Sequence, residues 1–373
     1  MTECKVAVVT KFNAPLEVWK APLPDIAVGG ALARVEAATL CGTDAHRWQG
    51  HLTEGGGVDL PFIEPTTTPF VPGHETCSRL EETRGQLYDL MNEPLKVGER
   101  VIASYPHCGH CYYCVVTRQP TLCAKNLSFG HSAPGAMLGG CAEYHYYPPG
   151  GSFIRVPEEV SSPLAASAAC ALRTVMHGYE QLGALGSHES VLILGCGPLG
   201  LYSLAVAKDF GAKRTLVIGA PQARLKVAQQ WGADAVLNLD EVSELKQRRQ
   251  WVLDQTGGRG ADVVFQCANS RALPEALQMT RPGGRLINIG VSGGPPIEFD
   301  PMHFFKQVRI NSVVMAEARH FYQAIDFLAT RRRNFHFDQL LSGQYTLDRT
   351  GEALKAMSEY REVKPVVLPA LAN

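Results

Sequence analysis

Residues 191–200 read VLILGCGPLG. Val191–Leu194 is an apolar run with the length of a short buried strand, and Leu199–Phe210 has the character of a helix. Gly195, Gly197 and Gly200 stand between and within them at G-x-G-x-x-G spacing. In such a turn the first glycine bends the chain, the second lets a pyrophosphate approach the backbone, and the third lets helix and strand pack closely. The helix then points its unpaired N–H groups at the phosphates. The spacing by itself is weak. Its position after a strand and before a helix is what a dinucleotide site requires.

The same alternation continues downstream. Thr215–Ile218 reads as a strand and Gln222–Trp231 as a helix. Val236–Leu237, Val263–Gln266 and Arg285–Ile289 read as further strands with helices between them. Strands alternating with helices predict a parallel doubly wound sheet over residues 164–316. The second strand ends in Ile218-Gly219-Ala220-Pro221. No acid occurs from Gly219 to Ala223 to accept from ribose hydroxyls, and the first base is Arg224. That leaves NAD and NADP both open.

Upstream the texture differs. Residues 1–163 carry short β-type runs, Val6–Thr10, Ala31–Ala37 and Arg100–Ser104, and little helical periodicity. The tail from about residue 317 offers a helix at Tyr322–Arg331, a strand at Gln344–Leu347, a helix at Thr350–Tyr360 and a last strand-like run, Lys364–Leu368. That final strand needs a partner, which the N-terminal β region can supply. The expected organisation is therefore a β-rich domain of residues 1–163 plus 317–373 and a dinucleotide domain of residues 164–316. A chain of 373 residues has room for both.

Lys+Arg 35 against Asp+Glu 36 gives a net charge of −1. Nothing in that balance attracts nucleic acid or an anionic membrane. No apolar run reaches the length of a membrane span. The N-terminus goes straight into strand-like alternation, so no secretory signal is expected, and cytoplasm is the expected location. The 11 cysteines are an odd number, which argues for thiolate chemistry over a disulfide framework.

Residues 108–123 read CGHCYYCVVTRQPTLC. Cys108, Cys111, Cys114 and Cys123 suit a closed tetrahedral zinc site, with an iron–sulfur cluster as the rival. Three other residues stand in short motifs: Cys41 in CGTDAH, His74 in PGHE and Cys170 in AACALRT. Two cysteines and one histidine would leave a fourth zinc position open, as a catalytic metal needs.

With CGTD, GHE, the glycine-rich turn and RPGGRLINIG (Arg281–Gly290), the chain resembles the zinc-dependent alcohol dehydrogenase branch of the medium-chain dehydrogenase/reductase superfamily. The resemblance covers essentially the whole chain. It is closer to the sorbitol- and threonine-dehydrogenase-like bacterial members than to the liver-type enzymes. It implies a GroES-like catalytic domain, a Rossmann domain, two zinc ions per chain, and NAD or NADP. It implies that Cys41, His74 and Cys170 hold catalytic zinc, that Cys108, Cys111, Cys114 and Cys123 hold structural zinc, and that Glu75 lies behind the catalytic metal. Asp44 would fix the His74 tautomer. Thr43 and His46 would relay the alcohol proton. Thr174 would lie against the nicotinamide. Pro198 and Leu199 would join the three glycines at the pyrophosphate, Gly219 and Arg224 would lie near the adenosine ribose, and Cys267, Ile289, Gly290 and Val291 would complete the cofactor site.

The resemblance further implies an alcohol or carbonyl substrate and a homodimer or homotetramer. A reductase of C=C or C=N bonds on the same fold is the near rival, and a non-catalytic nucleotide-binding protein the distant one. Three departures stand out. Eight residues separate Cys114 from Cys123 where seven are usual. Gly219 replaces the usual acid. The segment between His46 and His74 is about ten residues longer than the compact spacing of such motifs. That insertion contains Trp48, His51, Phe62 and Phe70. Small residues at Cys141 and Ser104 lead us to expect a wide pocket floor and a substrate larger than ethanol, secondary or functionalised.

Overall fold

A computed structural model describes residues 2–54, 57–290 and 297–371. The chain divides into two compact units. The first comprises residues 1–173, 315–332 and 337–373, and the second comprises residues 174–314 and 333–336.

The second unit is built around a six-stranded parallel sheet. Its spatial order is Ala235–Asn238, Arg214–Gly219, Ser190–Leu194, Ala261–Gln266, Thr280–Asn288, Arg309–Ser312. Counted from Ser190–Leu194 this is 3-2-1-4-5-6, the doubly wound order with its switch point beside the first strand. All five residues of that strand are buried, which explains its unbroken apolar run. The helix Pro198–Asp209 packs on it, with eight residues from Gly200 to Ala207 buried.

The first unit carries a seven-stranded sheet. Its central strand, Ala31–Thr39, pairs antiparallel with Glu75–Thr83 and Tyr144–Tyr147. The last strand, Lys364–Val367, joins it through Val366 opposite Thr39 and Val367 opposite Ala38. One core cluster gathers Val6, Val8, Leu40, Val71, Leu354 and Val367. This unit runs past Pro163 to Arg173 because the helix Ser162–Ser167 packs on the strands Ala31–Thr39 and Glu75–Thr83. A five-residue π-turn, Ala168–Leu172, follows and carries Cys170.

The segment after His46 is tied down at several points. Gln49 N donates to Ala45 O, Thr66 N donates to Leu52 O at 2.9 Å, and Phe62 is buried. The buried Arg47 guanidinium donates to Thr66 Oγ1 and reaches Glu64 O. No helix among the described residues is long and apolar enough to cross a membrane.

Candidate active site and metal centres

Cys41 follows the strand Ala31–Thr39 by two residues and caps the helix Gly42–Trp48. Its Sγ accepts from Thr43 N at 3.3 Å, and its own N–H donates to Asp44 Oδ2 at 3.0 Å. The other oxygen of Asp44 accepts from Gly73 N at 3.1 Å and from His74 Nδ1 at 3.0 Å. One buried carboxylate thus fixes the cysteine's backbone and the histidine's tautomer together. With Nδ1 donating, Nε2 of His74 carries a free lone pair and faces Cys41 Sγ at 3.3 Å.

Donor atoms of Cys41, His74, Glu75 and Cys170 all lie within 4.8 Å of one another. Zinc–sulfur and zinc–nitrogen bonds at a tetrahedral angle put S and N about 3.5 Å apart. The donor set and its spacing therefore fit zinc. The Cys41 thiol is held well below its usual range, first by the hydrogen bond from Cys170 and then by His74. Burial works against charge on His74, but Asp44, Cys41 and Cys170 outweigh it and raise the imidazole well above its ordinary value. Without a metal, the Cys41 thiolate and the His74 imidazolium form an ion pair, and a zinc ion would take the place of the proton on Nε2.

Glu75 is fully buried. It accepts from Lys364 Nζ at 2.5 Å on one oxygen and from Thr39 Oγ1 on the other. Burial lifts its carboxyl to about 7, against the downward pull of Lys364. Lys364 and Thr39 were not among the sequence candidates. The only signal was a lysine opening an apolar terminal run, and its partner lies 289 residues away.

The second cluster forms on a short loop. Cys111 precedes the helix Tyr112–Val115, and the N–H groups of Cys114 and Val115 donate to its carbonyl. The Sγ atoms of Cys111 and Cys114 are 3.5 Å apart, those of Cys108 and Cys123 3.5 Å, and those of Cys108 and Cys114 4.0 Å. Tetrahedral zinc thiolates stand about 3.8 Å apart, so these four also fit the metal. The Cys108 thiol is drawn down to about 6, first by the backbone N–H of His110. Burial and the neighbouring Cys111 push Cys114 up to about 12. The longer final spacing is taken up by a reversal at Arg118, in the left-handed region, and a 3-10 turn at Pro120–Leu122.

In the second unit, Gly195 lies at φ +102°, which a side chain would resist, and its N–H donates to Ile218 O at 2.7 Å. A Cβ on Gly200 would overlap Gly195 O, whereas one on Gly197 would meet only Arg224 Nη1, at 4.0 Å. Gly197 therefore leaves space open at the start of the Pro198–Asp209 helix, which has no side-chain cap. That is where a pyrophosphate fits, next to Pro198 and Leu199. Ile289 N and Gly290 N donate to Gln266 O, and Cys267 N donates to Leu194 O. Thr174 is buried at the start of this unit. Val291 lies outside the described residues.

One expectation needs correction, and the glycine at 219 gains a physical reason. Cys141 does not sit on a pocket floor. It is fully buried in the core cluster with Val6, Val71 and Leu354. Gly219 cannot carry the missing acid, because any Cβ there would meet Cys196 Sγ at 2.5 Å and Cys196 N at 2.9 Å. Ser104 lines a cavity of about 230 Å³ with Tyr105, His107, Asn126 and Arg319, and Cys41, His74 and Cys170 are not part of its lining.

These two units, a β-rich one bearing two metal-type donor clusters and a doubly wound one bearing a dinucleotide turn, define a zinc-containing nicotinamide dehydrogenase. Residues 28–158 match the alcohol dehydrogenase GroES-like domain, and residues 198–330 match the zinc-binding dehydrogenase family. An alcohol dehydrogenase of Geobacillus stearothermophilus is 30% identical over 91% of this chain and 97% of its own length. The 5-exo-hydroxycamphor dehydrogenase of Pseudomonas putida is 29% identical, covering 98% of this chain and 99% of that one. The crystal structure of an alcohol dehydrogenase from Thermotoga maritima superposes with a TM-score of 0.88 at 27% identity, over 99% of this chain and 100% of that one. The chain belongs to the zinc-dependent alcohol dehydrogenase family of the medium-chain dehydrogenase/reductases. It is an oxidoreductase whose cofactors are zinc and NAD or NADP.

Proposed function

We propose that this enzyme oxidises a secondary or functionalised alcohol, or reduces the matching carbonyl, with catalytic zinc on Cys41, His74 and Cys170 and structural zinc on the four lobe cysteines. The convergence of Cys41, His74 and Cys170 donor atoms within 4.8 Å carries this reading. Zinc held there would supply the Lewis acidity that makes an alcohol hydroxyl acidic near neutral pH, and a nicotinamide held by the glycine turn would supply the hydride acceptor. The protein's own part is to hold the donors, orient the cofactor and remove the proton. Asp44 keeps His74 Nε2 free to bind the metal. Glu75, held by Lys364 and Thr39, would lie beside the three metal donors. Thr43 and His46 carry the proton away. Gly195, Gly197, Pro198, Leu199 and Gly200 would seat the pyrophosphate, Gly219 and Arg224 would border the ribose, and Thr174, Cys267, Ile289 and Gly290 would border the nicotinamide half.

The hydroxycamphor dehydrogenase relative acts on an alcohol larger than ethanol, which supports the substrate class. Eleven cysteines, none in a disulfide among the described residues, fit a reducing cytoplasm. The strand Arg309–Ser312 is an exposed sheet edge, paired on one side to Thr280–Asn288. It supports assembly with a second copy.

One experiment tests the site and the substrate class together. Elemental analysis of the wild type should find about two zinc per chain. Cys41→Ala should lose one of them together with turnover. Wild-type kcat/KM is then measured for ethanol, 2-butanol, cyclohexanol, borneol and xylitol with both coenzymes. Full activity in Cys41→Ala sinks the metal assignment, and a maximum at ethanol sinks the substrate class.

A further inference from the structure

The insertion after His46 brings a second imidazole against the first. Gly50 lies at φ +78° and turns the chain back after the Gly42–Trp48 helix. A Cβ there would also press on the Phe12 ring at 3.1 Å, so glycine suits the position twice over. The reversal lets His51 N donate to His46 O at 2.9 Å. It also sets His51 Nδ1 3.2 Å from His46 Nδ1, with ring centroids 5.4 Å apart. His46 is half-buried and His51 is exposed.

We infer that His51 is the outlet of the proton path: it takes the alcohol proton from His46 and hands it to bulk solvent. This rests on the proposed role of His46 and adds a residue to it. The transfer balances as a proton shuttle. His46 gains a proton from the relay at Nε2 and gives up the one on Nδ1 to His51 Nδ1. His51 then loses a proton from Nε2 to water or buffer, and both rings return to neutral in their other tautomers, which ring reorientation and exchange with solvent reset before the next turnover. The electron pair leaves separately, with the hydride, to the nicotinamide.

Geometry favours this over a purely structural contact. A hydrogen bond between a half-buried and an exposed imidazole adds little stability. But two ring nitrogens at 3.2 Å, one ring half-buried and one in solvent, can pass a proton between them. Its electrostatics suit release. Burial lowers the proton affinity of His46, and a charged His51 lowers it further, while Cys41 pulls the other way. Two positive rings side by side are unfavourable, so a proton that reaches the pair is driven outward.

The test compares His51→Gln, His46→Gln and the double variant, using the alcohol of the series above with the highest kcat/KM. In dilute, weakly transferring buffer, H51Q should lower kcat about 10-fold, and concentrated imidazole should restore it. The double variant should be no slower than H46Q, because both act in one path. A second readout needs no turnover. Histidine NMR on the zinc-loaded protein without coenzyme should show the His46 pKa rising in H51Q, since the neighbouring positive charge is gone. Full activity of H51Q in dilute buffer overturns the inference, and so does a loss that imidazole does not rescue. If H46Q itself is fully active, the relay reading fails first, and the two failures are distinguishable.

Discussion

Asp44 is acidic for a positional reason. One oxygen accepts from the Cys41 backbone, and the other accepts from Gly73 and from His74. Asn in its place keeps the shape but loses the charge that holds Nδ1–H and raises the basicity of Nε2. Asp44→Asn is expected to weaken zinc binding about 10- to 100-fold, read by chelator competition, with the lobe zinc unaffected. Unchanged affinity would detach Asp44 from the metal. Coenzyme choice is decided at this scale too. Gly219 is pressed against Cys196, so Gly219→Asp should destabilise the fold without redirecting the enzyme. Ala220 is only half-buried, and Ala220→Asp should shift the NAD/NADP ratio of kcat/KM toward NAD by about 10- to 100-fold. The opposite ranking of the two variants would show that the ribose is read from another direction.

Among the elements, the strand Tyr144–Tyr147 holds a latent acid sensitivity. His145 is fully buried between Phe129, edge-on at 4.8 Å, and Tyr147 at 4.4 Å. Burial pushes its pKa down to about 4, which the backbone groups of Leu138 and Tyr146 only partly offset. The unfolded chain therefore binds this proton before the folded one does. Stability is full above the ordinary histidine pKa and is lost as pH falls toward about 4. Between about pH 7.5 and about pH 5 the loss is about 2 kcal/mol. His145→Leu should escape it, so the stability difference between the two proteins should move by that amount in favour of leucine. Denaturant unfolding at several pH values checks this, and zinc loss, common to both proteins, cancels. A difference independent of pH would mean that His145 is protonated or hydrated in the folded state. The π-turn Ala168–Leu172 matters at the same scale, since it delivers Cys170 from a helical segment to the metal-type cluster.

For the whole molecule, the strand Arg309–Ser312, with no second strand partner among the described residues, is an invitation to pair, and Phe304, Phe305 and Ile310 lie exposed near it in sequence. Light scattering should give at least twice the chain mass, and Ile310→Lys should lower it toward one chain. A monomeric wild type would leave that edge without a partner of its own kind. The readable parts of this protein are local ones. The glycine turn, the strand–helix alternation and the lobe cysteines depend on spacings of a few residues, and those spacings fix backbone geometry wherever they occur. From them the fold class and the lobe cluster follow by sequence alone, whereas Cys41, His74 and Cys170 are singled out by the short motifs that carry the family resemblance. Pairing between distant segments is a different matter, because strand register and packing select partners that no local pattern marks. Lys364 beneath Glu75, Cys141 in the core instead of a pocket, Gly219 crowded by Cys196, and His51 turned back onto His46 are all outcomes of that selection. The sequence by itself determined which chemical groups are present and which family of folds holds them. Only the tertiary structure decided which buried charge faces which and where the proton can leave, because those depend on side chains meeting across the sheet and across a turn whose direction a single glycine sets.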